Sequence, residues 1–300
     1  MSFALIEARK AERSMELPVE MACAVLNVSV SGYYAWKRRE ASPRQRRDMV
    51  LLAHIRAQFV TSHESYGSPR MHVELKEDGL VVGKHRVARL MRDNGLKARQ
   101  KTRFKKTTDS DHAGPVAPNL LDQDFQAERP DQKWAVDISY IWTAEGWLYL
   151  AIVLDLFSRR IIGWAISDRM KKDLAMKALQ RAIDLRQPSA GVIHHSDRGS
   201  QYCSGDYRKL LSGNGFVVSM SGRGNCYDNA MFETMFKTIK SELVWRTSFT
   251  SRYQATKAIG HYIDGFYNPK RRHSSLGYQS PIAFERNLHA ASRVELTVLH

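Results

Sequence analysis

The spacing of apolar residues changes character once along this chain, near residue 130, and that change limits the folds open to it. Before it, apolar residues recur at helical spacing in short runs separated by turn residues. After it come three strand-like runs, and then strand and helix patterns in alternation. Residues 133–142 alternate apolar and polar, Gly146 turns the chain, 147–157 reads as a buried strand and 160–167 as a third. Residues 171–186 form an amphipathic helix through Leu174, Ala178 and Ile183. Short strands are expected at 191–195 and 216–220, with a helix over 202–213 between them. A long helix from 225 to about 244 and another over 251–267 complete the pattern. A three-stranded meander followed by alternating units predicts an α/β layered fold.

The segment ahead of it reads as all-α, with two helix-turn-helix-like units at about 14–40 and 68–96. In the first, Pro18 opens a helix bearing Met21, Ala22, Val25 and Leu26, and Asn27-Val28-Ser29 makes the turn. A second helix begins near Ser31 and ends in the basic run Lys37, Arg38, Arg39. A plain helical hairpin would have the same pattern. Ser42-Pro43 is an N-cap followed by a first-turn proline, starting a helix with Leu52, Ile55 and Phe59 on one face. Ser68-Pro69 repeats that signal, with Met71 and Leu75 inward and a stop near Gly79. The next helix, about 84–94, turns Val87, Leu90 and Met91 inward and leaves Arg86, Arg89 and Arg92 outside, before an Asn94-Gly95 stop.

Charge separates these regions. The formal net charge is +15, and residues 32–106 carry 19 basic against seven acidic groups, whereas 107–300 carry 24 against 20. Excess concentrated in one quarter of a chain points to a polyanionic partner rather than a generally solvated surface. Arg38, Arg39, Arg86 and Arg89 are candidate DNA contacts. Lys97, Arg99, Lys101, Arg103, Lys105 and Lys106 read either as a phosphate-contacting arm or as a solvated run. The expected organisation is a basic helical region over 1–106, a linker over 107–127, and a catalytic core with C-terminal helices over 128–290. Cys23, Cys203 and Cys226 match no zinc spacing, and an odd count argues against a disulfide framework, so a reduced, cytoplasmic setting is expected. Charges interrupt the first 21 residues, and the longest apolar stretch, 147–157, contains Asp155 and is too short to span a bilayer.

Three acids in distinctive frames carry the candidate chemistry: Asp137 in Trp134-Ala135-Val136-Asp137-Ile138-Ser139-Tyr140, Asp197 in His195-Ser196-Asp197-Arg198-Gly199, and Glu233 in Asn229-Ala230-Met231-Phe232-Glu233. Thirty-five residues separate the last two acids. Asp137 lies in the first strand and Asp197 just past the fourth, so both can reach one sheet edge, with Glu233 on a helix able to pack across it. Carboxylates converging there suit Mg²⁺, a hard ion that takes oxygen ligands. A pair of such ions serves phosphodiester cleavage and joining. Spacing alone leaves rivals: Asp155 at the end of the second strand, Asp228, and Glu242. Glu233, Lys237 and Lys240 share a helix face with Asn229 one turn earlier, which suits a grip on a DNA backbone. An ordinary surface ion pair between Glu233 and Lys237 has the same spacing. His194 and His195 are open as ligands or as strand-end packing. A serine nucleophile is disfavoured by the missing nucleophile elbow, and Gly222-Arg223-Gly224-Asn225 lacks the Gly-Lys-Ser/Thr of a P-loop.

Longer frames carry a resemblance. They are Val28-Ser29-Val30-Ser31-Gly32-Tyr33-Tyr34-Ala35-Trp36, Tyr66-Gly67-Ser68-Pro69-Arg70-Met71-His72, Arg86-Val87-Ala88-Arg89-Leu90-Met91 and the Asp137 frame, followed by Asp155-Leu156-Phe157-Ser158-Arg159-Arg160-Ile161-Ile162-Gly163-Trp164. His195 to Tyr202, the Glu233 frame and the block from Tyr267 to Tyr278 complete the set. Over nearly its whole length the chain resembles the second-reading-frame (OrfB) transposases of the bacterial insertion-sequence family numbered three, within the DDE transposase and retroviral-integrase superfamily. The resemblance implies an RNase H-like core and assigns the catalytic, metal-binding triad to Asp137, Asp197 and Glu233. It implies Mg²⁺ or Mn²⁺ as cofactor, as two ions, and sets Lys240 near the DNA end. The implied reaction nicks double-stranded DNA at the element's ends. The freed 3′-hydroxyl then attacks a target phosphodiester, without a covalent protein–DNA intermediate. It further implies a homo-oligomer in the DNA complex, and an upstream-frame protein or frameshift fusion that supplies a leucine zipper and the main end-recognition helices. This chain has no heptad run of its own. Ser68 departs from the family, where an aromatic or basic residue is common. Two other readings are a DNA-binding regulator without chemistry, opposed by the presence of all three acids, and a hydrolytic RNase H-type nuclease, opposed by the basic N-terminal helices.

Overall fold

The computed structural model describes residues 2–11, 18–98, 117–222 and 230–298. They fall into two compact units, Met1–His54 and Ile55–His300.

In the first unit, helices α1 (Ser2–Ala11), α2 (Val19–Val25) and α3 (Val30–Arg38) surround a small core of Ile6, Val19, Ala22, Cys23 and Tyr33. The expected turn is present, with Asn27 in the left-handed region at φ 51°. Ser29 then caps α3 by accepting the Gly32 N–H at 3.0 Å, a contact worth about 1 kcal/mol. Met21 and Val25 are exposed, because the short α2 turns Val19, Ala22 and Cys23 inward at i, i+3 and i+4. Glu7 of α1 accepts a hydrogen bond from the Tyr33 hydroxyl and pairs with Lys37 at 2.9 Å. Helix α4 (Pro43–Thr61) opens with a capping box: Gln45 N–H donates to Ser42 Oγ at 3.2 Å and Ser42 N–H to Gln45 Oε1 at 2.8 Å.

The second unit contains the helix pair α5 (Ser68–Glu77) and α6 (Lys84–Asp93), with Met71, Leu75, Val87, Leu90 and Met91 buried as their periodicity predicts. Gly79 and Gly95 end them at φ +80° and +68°, a backbone region that favours glycine.

The same unit holds a five-stranded sheet of β1 (Lys133–Thr143), β2 (Gly146–Asp155), β3 (Ile161–Ser167), β4 (Ile193–Ser196) and β5 (Val217–Met220). Its spatial order is β3-β2-β1-β4-β5. The first three strands form an antiparallel meander, and β4 and β5 add in parallel beyond β1. This is the expected α/β layering, an RNase H-like core. Helix α7 (Lys172–Arg186) covers one face, burying Leu174, Ala175, Ala178, Leu179, Ala182 and Ile183 against Val136, Ala151, Val153 and Ile162. The helix expected over 202–213 is two helices, α8 (Ser200–Cys203) and α9 (Gly205–Gly213). Ser204 breaks it by turning extended and capping α9, its side chain accepting from Tyr207 N–H. Helix α10 (Ala230–Glu242) is the described part of the expected long helix, whose predicted start at residues 225–229 lies outside the described residues. Helices α11 (Arg252–Tyr262), continued by one π-helical turn over Ile263–Tyr267, and α12 (Pro281–Val298) complete the unit.

Gly163 lets α7 approach β3. A Cβ there would fall within the van der Waals radius of the Ala178 carbonyl oxygen and 2.8 Å from Ala182 Cβ. Since both obstacles are fixed by the helix, Gly163→Ala is expected to destabilise the protein by about 1–3 kcal/mol in urea unfolding, the usual cost of overpacking.

The basic block after α11 is structural. Arg271 donates from Nε and Nη2 to the Glu242 carboxylate, at 2.9 and 2.6 Å, and the Tyr262 hydroxyl donates to the same carboxylate at 2.7 Å. Arg272 pairs with Glu74 and Glu77 of α5, and its N–H donates to the Tyr66 hydroxyl at 2.8 Å. Asn268 bonds both backbone groups of Ile161 at 2.9 Å. Glu285 of α12 pairs with Arg160 at 2.7 Å and with Arg186. Arg272 thus ties α5 to the block that follows α11.

Candidate active site

The sheet register brings the first two acids together. The parallel β1–β4 ladder ends with Val136 opposite Ser196, so the next residue on each strand is Asp137 and Asp197. Neighbouring strands lie about 4.8 Å apart, which brings the backbones of the two residues close together at the edge where β4 stops. Both are half-buried. Asp137 Oδ1 accepts the Ile138 N–H at 2.7 Å, and Asp197 Oδ1 accepts the Gly199 N–H at 2.9 Å. Arg198 turns away and donates from Nε to the Ser221 carbonyl at 2.8 Å.

Glu233 lies in the first turn of α10 and is exposed, as is Lys237. Lys240, on the same helical face, is buried: its Nζ stands 4.7 Å from the centre of the Tyr140 ring on β1. Burial holds its ammonium below the ordinary lysine range, and the nearby Asp137 charge works in the opposite direction. Lys240 therefore faces the Asp137 neighbourhood from within the protein rather than an open surface. Among the described residues, no three of the His, Cys, Asp and Glu side chains are grouped closely enough to enclose an ion. Asn229 and the rival Asp228 lie outside the described residues.

The other rivals have structural duties. In the antiparallel register Asp155 sits opposite Trp134, three residues before Asp137 and toward the other end of β1. It is fully buried and accepts from the N–H groups of Asp131 and Phe157, both at 2.8 Å, and of Ser158 at 3.2 Å. Burial outweighs these donors and Arg186 and pushes its pKa up to about 6. Glu242 is consumed by Arg271 and Tyr262.

The histidines are packed, as one of the two alternatives held. His194 is fully buried with Nε2 2.9 Å from the Tyr207 hydroxyl, and burial pushes its pKa down to about 3. His195 has Nδ1 2.9 Å from Ser219 Oγ and Nε2 3.2 Å from Ser221 Oγ. His195 has both ring nitrogens near serine hydroxyls, and His194, whose Nδ1 has no partner among the described residues, is fully buried, so the half-buried donors offered at this edge are carboxylate oxygens. An oxygen-only set fits Mg²⁺ or Mn²⁺ better than a softer, nitrogen- or sulfur-seeking ion. One residue that spacing did not single out also stands here. Tyr202 is buried, its hydroxyl has no hydrogen-bond partner among the described residues, and the charges of Asp197 and Asp137 both bear on it.

Of the candidate DNA contacts, Arg38 and Arg39 are exposed at the end of α3. Arg86 and Arg89 are half-buried on α6, and Arg89 pairs with Asp93 at 3.6 Å. Lys97 is exposed, and the remainder of the basic arm lies outside the described residues. Among the described residues, no helix is long and apolar enough to cross a membrane.

Comparison with known proteins gives matches along most of the chain. Residues 45–104 match the family described as HTH-like domain, and residues 127–226 and 214–281 match families described as Integrase core domain. An insertion element IS600 31 kDa protein of Shigella sonnei is 46% identical over 267 residues, covering 89% of this chain and 98% of that protein. The transposase InsF for insertion sequence IS3A of Escherichia coli K12 is 42% identical over 287 residues, covering 95% of this chain and 98% of that one. Among solved structures, the HTLV-2 integrase catalytic core domain in complex with magnesium aligns over 53% of this chain and 98% of its own, at 12% identity and a TM-score of 0.41.

Proposed function

The chain belongs to the OrfB transposases of the bacterial insertion-sequence family numbered three, DDE-type enzymes of DNA transposition and integration, and from that premise we propose a two-step reaction. The enzyme nicks DNA at the ends of its element, and the freed 3′-hydroxyl then attacks a second phosphodiester. The observation that carries this reading is the pairing of Asp137 with Asp197 where the β1–β4 ladder ends.

Asp137, Asp197 and Glu233 would hold the divalent metal, Mg²⁺ or Mn²⁺ and as two ions. Bound there, it would activate the attacking oxygen and stabilise the leaving one. The rest falls to the protein. Asp197 is held by the Gly199 amide, so its orientation is set before substrate arrives. Glu233 comes from the first turn of α10, whose far end is pinned through Glu242. Lys240 offsets part of the negative charge around Asp137, which eases approach of a phosphodiester to an acidic centre. Arg38, Arg39, Arg86 and Arg89 supply phosphate contacts that position the duplex without reading its sequence. Lys237, exposed on the helix that carries Glu233, and Asn229 are further candidate DNA contacts. The active species is a homo-oligomer on DNA, working with an upstream-frame protein or fusion.

A joining assay tests this. Given an end-labelled duplex with a free 3′-hydroxyl, a supercoiled target and Mg²⁺, the protein with its upstream-frame partner is expected to yield covalently joined product. Hydrolysis of both DNAs with no joined product would identify a hydrolytic nuclease instead.

A further inference from the structure

We propose that Tyr202 is a positioning residue for the paired aspartates, its buried hydroxyl serving as the donor to a carboxylate oxygen when Asp137 and Asp197 hold a divalent ion; this rests on the metal-dependent reading above. Tyr202 is only 3% exposed, and its phenolic oxygen has no hydrogen-bond partner among the described residues. Leaving such a hydroxyl unsatisfied is unfavourable, and buried polar groups without partners are uncommon enough to require a cause.

The ring is fixed from several sides. Tyr202 N–H donates to the Gly199 carbonyl at 3.0 Å, and the ring meets Tyr207 edge-on with centroids 5.5 Å apart. The Tyr207 hydroxyl is itself engaged with His194. Gly199 makes the approach to Asp197 possible. A Cβ there would lie 2.9 Å from Asp197 Oδ1 and 3.4 Å from the Tyr202 ring. Carboxylate, glycine and ring therefore share one crowded turn. Burial, together with the charges of Asp197 and Asp137, raises the phenol well above its ordinary range.

The two aspartates use backbone N–H groups at Oδ1 in the present arrangement. A carboxylate that commits one oxygen to an ion must orient the other, and a buried hydroxyl donor on a ring packed against the same turn would favour that orientation. Outer donors of this kind change metal affinity by about 10–100-fold when removed.

The test is thermal unfolding of the full chain, without DNA, across a Mn²⁺ titration, for the wild type, Asp197→Asn and Tyr202→Phe. The wild-type midpoint temperature is expected to rise with Mn²⁺, and Asp197→Asn to remove the rise. Tyr202→Phe is expected to match or exceed the wild type without metal, because no hydrogen bond is lost, and to need about tenfold more Mn²⁺ for half the effect. A Tyr202→Phe protein that needs the same Mn²⁺ as wild type overturns the inference while leaving the metal reading intact. So does one that is destabilised without metal and unchanged in its Mn²⁺ dependence, the mark of a purely structural residue. A wild type that does not respond to Mn²⁺ overturns both.

Discussion

Replacing Asp197 by alanine is expected to abolish Mg²⁺-dependent nicking and joining, by at least about three orders of magnitude, while DNA binding is retained. Removing one preorganised charge-stabilising group from a catalytic site can by itself cost about 10²–10³ in rate, and here the loss would also remove a proposed metal ligand. The effect should be confined to chemistry. Asp197 stands at the end of a strand, half-buried, and the candidate phosphate-contacting arginines Arg38, Arg39, Arg86 and Arg89 lie on other elements. Asp137→Ala and Glu233→Ala should behave alike if the three act as one set. The measurement is a nicking and joining assay alongside an electrophoretic mobility shift on the same end duplex. Undiminished cleavage by the Asp197→Ala protein would sink the assignment. Asp155→Ala is the instructive contrast. Its carboxylate ties the loop after β2, at Phe157 and Ser158, to Asp131 ahead of β1 through three backbone donors, so its loss should reduce stability first.

The second large effect concerns stability. Arg271→Ala is expected to cost about 3–5 kcal/mol in urea unfolding, the usual penalty for stranding one partner of a buried ion pair. Glu242 would be left buried beside the Tyr262 hydroxyl with no cation. Replacing both Arg271 and Glu242 with methionine should recover most of that loss, because a buried pair is often no more stabilising than a well-packed apolar one. If the single and double variants are equally unstable, the guanidinium acts by packing and not by pairing. The pair also ties the end of α10 to the block after α11, so the single variant should loosen the helix that carries Glu233.

These two cases show where the chain's chemistry was legible in its order of residues. Alternation in 133–142 and the greasy run after Gly146 reported strands directly, because side chains on a strand point alternately to either face. The helix-stop signals Gly79 and Asn94-Gly95 were equally plain, since positive φ favours few residues. The break between α8 and α9 was hidden: Ser204 inside a helical pattern becomes a cap only when its neighbours leave the helix. Lys240 was read with the surface lysines because spacing reports a face and not what covers that face. Arg271 and Arg272 sit in a run that resembles a phosphate-binding patch, yet their partners, Glu242, Glu74 and Glu77, are far away in sequence.

From residues alone came the two-part organisation into helical and α/β segments, the basic excess over 32–106, and a short list of acids in family-like frames. Local periodicity, capping and charge are properties of neighbours along the chain, so they can be read without coordinates. The tertiary structure decided which acids could act together. The β1–β4 register sets Asp137 beside Asp197, the antiparallel β1–β2 register carries Asp155 to the far end of the strand, and burial commits Glu242 to Arg271. It also showed the buried Tyr202 hydroxyl without a hydrogen-bond partner among the described residues. Register, burial and unsatisfied polarity arise from residues distant in sequence, and only the folded chain brings them together.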